Sequence, residues 1–179
     1  MAISPWMRAI TLFSASVNCA MDALPADATD VIILCGDVPL IRPETLRRFW
    51  DDHTTSDRTL TVLGVEMENP KGYGRLLRDE GGAFTGIVEE ADASDTQKAV
   101  RLVNSGIYCV ERNFLAQALG EVGSDNAQGE YYLTDIVGIG HSRGLSMGVL
   151  TGTDASEVIG VNSPEELKIV TDIMSCQEV

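Results

Sequence analysis

The sequence predicts one α/β domain whose mixed sheet carries an inserted antiparallel β-hairpin. Its 179 residues suit a single domain with a substantial core. The continuous apolar run "DVIILCGD" at 30–37 is typical of a buried parallel strand. A helical pattern and a second apolar strand follow, which is the order of a parallel α/β unit. Further on, two short alternating runs flank the glycine-containing turn 79–82, which indicates the hairpin.

The first half of the chain divides into strand, helix, strand and hairpin. "RPETLRRFWDDH" predicts a helix, because Pro43 suits its first position and Leu46 and Phe49 share one face. "TLTVLGVEM" at 59–67 predicts the next strand, and "YGRLLRDEGGAFTGIVEE" at 73–90 predicts the hairpin.

The second half continues the alternation of strands and helices. "AVRLVNSGIYCVE" predicts a strand that is interrupted at Asn104, Ser105 and Gly106. The remaining predictions are helices at 113–122 and 130–144, strands at 145–152 and 156–161, and a helix at 163–174. Tyr132 is placed on the second of these helices, which stops near Gly144. The last helix opens with a capping box, "SPEE".

Composition excludes several classes of function. The formal net charge is −14, so nucleic acid and anionic membrane surfaces are not expected partners. No apolar stretch reaches the roughly 18 residues that a membrane span needs. The start of the chain only loosely imitates a signal peptide, which predicts a cytoplasmic location. The four cysteines form no CxxC pair and the two histidines have no metal-ligand spacing, so no zinc site is expected.

Asp37 is the first candidate for chemistry. It comes at the end of the first predicted strand, where open α/β sheets bind ligands. A carboxylate suits Mg²⁺, which it shares with substrate phosphates. A lone Gly-Asp is more often a turn, but the extension "GDVPLI" specifies a tight loop and favours a functional role.

Four other stretches each allow a structural and a functional interpretation. The glycines of "GYGR" either satisfy a turn or let the backbone approach a ligand. "VNSG" places an amide in a strand, and amides bind sugar hydroxyls well. "NAQGEYYLTD" is either an elaborate helix cap or an anion site at a helix N-terminus. "GVNSPEEL" has the same ambiguity at Asn162.

Taken together, these stretches resemble a known family. "GDVPLI", "NPKGYGRLLRD", "GIVEEADAS", "VNSGIY", "NAQGEYYLTDI" and "EVIGVNSPEEL" resemble, in order and spacing, the pyrophosphorylase domain of bacterial N-acetylglucosamine-1-phosphate uridylyltransferase. The resemblance covers roughly Val31 to Leu167 and implies a Rossmann-like nucleotidyltransferase fold. It implies transfer of UMP from UTP to N-acetylglucosamine-1-phosphate, which gives pyrophosphate and UDP-N-acetylglucosamine, a precursor of peptidoglycan and lipopolysaccharide.

The resemblance also implies a set of site residues. Asp37 would be catalytic and would hold Mg²⁺ together with Asn162. The positions that would bind substrate are Gly36, Gly74, Glu89, Asn104, Tyr132 and Thr134. Glu90 and Asp92, beside Glu89, are expected to be solvated.

The resemblance has departures that predict an impaired enzyme. The family's glycine-rich loop, Leu-x-Ala-Gly-x-Gly-Thr-Arg-Met, cradles the triphosphate and has no counterpart here. We therefore expect a divergent segment at 1–30, a partial nucleotidyltransferase domain at 31–179, and no acetyltransferase domain. Cys35 stands where the family often has tyrosine, and Ala91 where it has lysine.

Two alternatives to the impaired enzyme remain open. One is a non-catalytic sugar-phosphate binder or a decayed remnant of the enzyme. The other is a related nucleotidyltransferase with another sugar or cofactor substrate, against which "NAQGEYYLTD" argues.

Overall fold

A computed structural model describes residues 16–177. The strands are β1 (Asp30–Ile33), β2 (Leu60–Glu66), β3 (Arg75–Arg78), β4 (Phe84–Val88), β5 (Leu102–Glu111) and β6 (Met147–Gly152). The helices are α1 (described over 16–21), α2 (Pro43–Thr55), α3 (Asp95–Lys98), α4 (Arg112–Leu119), α5 (Asp135–Ser142) and α6 (Pro164–Gln177), and a 3₁₀ helix covers Ala155–Val158.

The six strands form one mixed sheet built around β5. The order is β4-β3-β5-β2-β6, and β1 pairs with the C-terminal half of β5. The neighbours of β5 all run antiparallel to it, whereas β2 and β6 are parallel. The hairpin β3–β4 extends the sheet beside the N-terminal half of β5. The predicted mixed sheet with an inserted hairpin is therefore confirmed.

The strand predicted over 30–37 was partly wrong. β1 ends at Ile33, its first three residues are only half-buried, and it pairs antiparallel with β5. The apolar run has hydrogen-bond partners on one edge only, among the described residues, and Gly36 lies in a turn after it. Asp37 consequently lies in a loop beyond the end of β1.

Successive side chains of β2 belong to two different hydrophobic clusters, one on each face of the sheet. Val62 belongs to a cluster that includes Phe114 of α4 and Ile136 of α5. Its neighbour Leu63 belongs to a second cluster that includes Phe49 of α2. Successive side chains of a strand point to opposite faces, so helices cover both sides.

Two predictions in the C-terminal half need correction. The helix predicted from residue 130 begins at Asp135, so Tyr132 precedes it, and its end at Ser142 is followed by Gly144 with a φ of 66°. The strand predicted at 156–161 is the 3₁₀ helix, because the Asp154 carboxylate accepts a hydrogen bond from the backbone of Ser156 and caps a turn. Within residues 16–177, no helix has the length and apolar character to cross a membrane.

Candidate functional site

A cleft of about 300 Å³ opens beyond the end of β1, beside the irregular part of β5. Five segments line it: the loop after β1, the glycine-containing segment before β3, the residue after β4, the first half of β5, and the chain from the 3₁₀ helix into α6. The predicted site residues that line it are Asp37, Gly74, Glu89, Asn104 and Asn162. The fold thus brings together residues that are up to 125 positions apart, 37 to 162.

The irregular part of β5 gives the cleft its inner wall. The pairing with β2 shifts between Val62 and Gly64, opposite the stretch Asn104–Gly106. Gly106 has a φ of 78°, which disfavours a side chain. The Ser105 hydroxyl bonds to the carbonyl of Leu63 at 2.6 Å and replaces a missing backbone contact. The predicted interruption of the strand is therefore a bulge inside a continuous strand.

Asn104 is held by hydrogen bonds on both ends of its amide. Its Nδ2 donates to the Tyr108 hydroxyl at 2.8 Å, and its Oδ1 accepts from the backbone of Gly106 at 3.0 Å. Its own backbone N–H donates to the carbonyl of Gly74 at 2.9 Å. An amide offers two donors and two acceptor sites, so one of each remains for a ligand.

Glu89 faces the same space from the end of β4. The Thr134 hydroxyl donates to its Oε1 at 3.1 Å. Burial raises the pKa of Glu89, and the hydrogen bond from Thr134 opposes that rise. Gly74 packs directly against the carboxylate, because a Cβ at position 74 would stand 3.2 Å from Oε2. A larger residue at 74 would displace the Glu89 carboxylate.

Tyr132 contributes to a second, smaller cavity of about 130 Å³. This cavity shares Glu89 and Asn104 with the cleft and adds Tyr132 and Thr134. The Tyr132 hydroxyl is buried and has no hydrogen bond of normal geometry to a described residue. Burial, and then the nearby carboxylates led by Asp92, raise its pKa to about 12. The hydroxyl therefore keeps its proton, and because its interaction with the Asp92 carboxylate is not a hydrogen bond of normal geometry, a ligand oxygen can replace it.

Asp37 and Asn162 meet at the opposite end of the cleft, over Gly160. A Cβ at position 160 would stand 3.1 Å from Asn162 Nδ2 and 3.5 Å from Asp37 Oδ2, so a glycine leaves room where the two side chains converge. The backbone of Val161 donates to the carbonyl of Asp37 at 2.9 Å. Half of the predicted capping box is present, because Ser163 Oγ accepts from the backbone of Glu166 at 3.1 Å, whereas the Glu166 carboxylate accepts from the backbone of Asn162 at 2.8 Å instead of from Ser163.

This pair of oxygen-bearing side chains fits a magnesium ion that substrate helps to bind. Within the described residues, no group of three or more His, Cys, Asp or Glu side chains could hold a metal alone. Mg²⁺ commonly takes one or two protein ligands and completes its shell with waters and phosphate oxygens. The donors present are of the right type and number for that mode of binding.

Several lining residues were not predicted. Lys71, Tyr73 and Glu166 line the cleft, and Cys35 and Gly106 line both cavities. A Cβ at position 106 would stand 2.6 Å from Cys35 Sγ, so these two residues are matched in shape. The position of Tyr73 between the two glycines of "GYGR" was the sequence feature that could have predicted its place in the cleft. Among the described residues Gly36 lines neither cavity, although its neighbours Cys35 and Asp37 line the cleft.

Glu90 is partly solvated, with 33% of its side chain exposed, but it is also paired, which was not expected. Its Oε2 lies 2.7 Å from Nη2 of Arg75, whose side chain is buried. Asp92 is exposed as expected, and its Oδ1 also accepts a hydrogen bond from the backbone of Ala127 at 2.8 Å. This bond ties the turn after β4 to the "NAQGEYYLTD" segment.

Comparison with known proteins places the chain in a family. The model of a family described as nucleotidyl transferase matches residues 14–155. The chain belongs to the nucleotidyl transferase family. Its fold is similar to that of a putative glucose-1-phosphate thymidylyltransferase from Bacillus anthracis, with a TM-score of 0.65, 17% identity, and coverage of 89% of this chain and 59% of that one. This likeness confirms the predicted Rossmann-like α/β fold.

Curated relatives confirm the resemblance drawn from the motifs. The "Bifunctional protein GlmU" of Geobacter metallireducens is 49% identical over 152 residues, which are 85% of this chain and 32% of that protein. The protein of the same name from Pelobacter propionicus is 45% identical over 152 residues, or 85% and 33%. The chain thus spans about a third of the length of these relatives.

Proposed function

We propose that this nucleotidyl transferase domain binds N-acetylglucosamine-1-phosphate and serves the transfer of UMP to it from UTP. The observation that carries the proposal is the convergence of Glu89, Asn104 and Thr134 on cavities that connect with the Asp37–Asn162 pair. Carboxylate, amide and hydroxyl groups suit sugar hydroxyls and an acetamido group. Relatives that are 45–49% identical over most of this chain support the proposal.

In the proposed reaction, an oxygen of the sugar phosphate forms a bond to the α-phosphorus of UTP. The bond from that phosphorus to the β-phosphate bridging oxygen breaks, and pyrophosphate leaves with the electron pair. The nucleophile is already an anion, so the chain needs no general base. Alignment of the sugar by Asn104 and Glu89 then supplies the main catalytic effect of this half of the site.

Asp37 and Asn162 would hold Mg²⁺ in this proposal. The ion, when bound, neutralises phosphate charge and helps to align the reacting oxygens. The two side chains would fix its place at the end of the cleft opposite Thr134. Lys71 is a cation that lines the same cleft, where its charge faces the phosphates.

Binding without efficient turnover is the second candidate function for the chain alone. It is favoured by the charge of the cleft, where Lys71 is the one cationic side chain among the described lining residues and three carboxylates line the same space. Removing one preorganised charge stabiliser typically costs about 10²–10³ in rate, so a site with few cations is expected to turn over slowly. We propose that the protein acts in the cytoplasm on these small molecules and has no nucleic-acid or membrane partner.

Two measurements on the full chain test the proposal. Calorimetry should detect binding of N-acetylglucosamine-1-phosphate that Asn104→Ala abolishes and that Asn113→Ala, at an exposed position of α4, leaves intact. Free N-acetylglucosamine and glucose-1-phosphate separate the contributions of phosphate and acetamido group. Pyrophosphate release from UTP and the sugar phosphate, with and without Mg²⁺, then separates enzyme from binder. Absence of any sugar-phosphate binding by the folded chain would refute both.

A further inference from the structure

Arg75 and Glu90 form an ion pair directly behind the sugar-facing wall of the cleft. Glu90 Oε2 is 2.7 Å from Arg75 Nη2, and the Arg75 side chain is 2% exposed. The same nitrogen lies 3.5 Å from the carbonyl of Lys98 in α3. Arg75 Nη1 donates to the carbonyl of Tyr73. One guanidinium thus joins three segments: the "GYGR" segment, the end of the hairpin, and α3.

The ion pair lies where the hairpin's own backbone bonding stops. The last paired residues of β3 and β4 at this end are Arg75 and Val88. Gly74 and Glu89, the two residues that face the ligand space, lie just beyond that pair. The ladder therefore does not set the separation of Gly74 from Glu89. Arg75 and Glu90 close the hairpin one step further on, by side chains instead of backbone.

Glu90 also contacts the segment from its other side. The hydrogen bond from Arg75 lowers the pKa of Glu90, burial opposes this, and a backbone hydrogen bond from Gly72 adds to the lowering. The Glu90 carboxylate therefore binds both Gly72 and Arg75, the residues on either side of Tyr73 and Gly74. Glu89 lines the cleft, whereas Glu90, in the turn that follows, pairs with Arg75.

A purely stabilising role does not account for the pair well. Arg75 Nε is buried and has no hydrogen-bond partner within the described part of the chain, which carries a desolvation cost. Buried ion pairs are often no more stabilising than apolar residues of the same volume. What the pair does provide is a fixed position for two backbone segments that meet the ligand.

We propose that the Arg75–Glu90 pair is a positioning element of the sugar site, which holds Gly74 against Glu89 without touching the ligand. The identity of the ligand in this inference rests on the proposed function, whereas the contacts of Arg75 and Glu90 do not depend on it. Glu90→Ala is expected to weaken binding of N-acetylglucosamine-1-phosphate about tenfold, because misplacement by about 1 Å has effects of this size or larger. Glu90→Gln, which keeps the shape and one acceptor, is expected to rescue most of that loss.

Amide hydrogen exchange gives a readout that needs no ligand. The Asn104 amide donates to the carbonyl of Gly74, so Glu90→Ala should speed its exchange and that of Gly72 about tenfold. The amide of Leu60, which donates to Ser146 at the far end of β2, should not change. Glu121→Ala, which breaks the Arg143–Glu121 pair between α4 and the end of α5, is the matched control and should change neither amide nor affinity.

The outcomes separate the two proposals. Unchanged exchange and unchanged affinity in folded Glu90→Ala overturn the positioning role. Faster exchange with weaker binding supports it. A wild-type chain that binds no sugar phosphate overturns the proposed function, and exchange alone then decides whether the pair positions Gly74. The double variant Arg75→Met/Glu90→Gln removes both charges together, so retained stability with faster Asn104 exchange would again support positioning.

Discussion

The two ends of the cleft are built in different ways. At the end where we propose that the sugar binds, the sugar end, Asn104 and Glu89 belong to the sheet or adjoin it, and neighbouring strands and Thr134 fix them. At the end where we propose that Mg²⁺ binds, the metal end, Asp37 and Asn162 lie in loops, and no strand of the described residues includes either of them. These loops are held by the bond from Val161 to Asp37 and by two carboxylates, Glu166, which lines the cleft, and Glu157, which does not.

Glu157 is the most buried of the carboxylates that hold the metal end. Its Oε2 accepts from the backbone of Arg42 at 3.1 Å, and its Oε1 pairs with the guanidinium of the same residue. This links the 3₁₀ helix, just before Asn162, to the start of α2, just after Asp37. Rigid strands therefore position one half of the site, while the buried Glu157 and the half-buried Glu166 anchor the loops of the other half.

The largest expected effect tests the sugar end. Gly106→Ala should lower the free energy of unfolding by about 3 kcal/mol, from a positive φ and a Cβ that overlaps Cys35 Sγ at 2.6 Å. Urea unfolding measures this loss. Gly82→Ala, with a φ of 84° and open space around it, should cost only about 1 kcal/mol.

Cys35→Ala separates the two causes in the Gly106→Ala chain. Cys35 Cβ would stand 4.0 Å from the new Cβ, so removing Sγ relieves the overlap and leaves only the φ cost. The double variant Cys35→Ala/Gly106→Ala is expected to recover about half of the free energy of unfolding that Gly106→Ala loses. If Gly106→Ala and Gly82→Ala lowered the free energy of unfolding equally, the strands would not hold the sugar end rigidly.

The metal end is tested by Glu157→Ala. Losing the bonds to Arg42 should cost about 1–3 kcal/mol, because the backbone N–H at the start of α2 loses its acceptor. Urea unfolding measures this loss of stability. Calorimetry with and without Mg²⁺ should also show that sugar-phosphate binding depends less on Mg²⁺ in the variant. Asp172→Ala, which removes an exposed pair with Lys168, should change stability by less than about 0.5 kcal/mol. A similar small change in Glu157→Ala would contradict the anchoring role.

Glu157 also gives this end a pH dependence. Burial raises its pKa, but hydrogen bonds from Arg42 and Thr45 outweigh burial and leave it lowered. Its contribution to stability is therefore present above the pKa of the unfolded chain and is lost as pH falls through the folded pKa. The stability difference between wild type and Glu157→Gln should shrink in acid.

Sequence reasoning succeeded where local pattern and tertiary structure agree. The hairpin over 73–90, the helix at Pro43 and the irregular stretch of β5 all follow from turn residues, apolar spacing and an amide in a strand. These signals are local. The amide of Asn104 violated strand propensity, and such a violation commonly marks a functional site.

The features that sequence reasoning missed depend on long-range contacts. The partners of β1, the role of Glu90 and the anchoring by Glu157 each join residues that are distant in the chain. A charged residue looks the same in sequence whether it pairs or is solvated. Residues Ala155–Val158, predicted as part of a strand, form a 3₁₀ helix that the Asp154 side chain caps, and the spacing of apolar residues does not reveal this cap.

A smaller effect is expected from Glu89→Gln at the sugar end. Burial raises the pKa of Glu89, so protonation favours the folded chain, and this contribution is lost as pH rises through the folded pKa. Glutamine stays neutral and still accepts from Thr134. The variant should be about 0.5–1 kcal/mol more stable than wild type at neutral pH, and the gain should vanish in acid.

Thermal unfolding across pH measures the Glu89→Gln effect, and calorimetry should show weaker sugar-phosphate binding in the same variant. Glu80→Gln, in the exposed hairpin turn, makes the same change of charge as a control. A Glu89→Gln chain that is less stable at neutral pH would mean that the ionised carboxylate holds the sugar end together.

The smallest effect on stability is expected from Tyr132→Phe. Its buried hydroxyl makes no normal hydrogen bond to a described residue, so removing it should change the free energy of unfolding by less than about 0.5 kcal/mol. Affinity for N-acetylglucosamine-1-phosphate should nevertheless fall about 3- to 10-fold, because a ligand oxygen loses its donor. Calorimetry and urea unfolding on the same sample separate the two quantities. Loss of stability with unchanged affinity would assign the hydroxyl to the fold, and would leave Glu89 and Asn104 as the polar contacts of the sugar end.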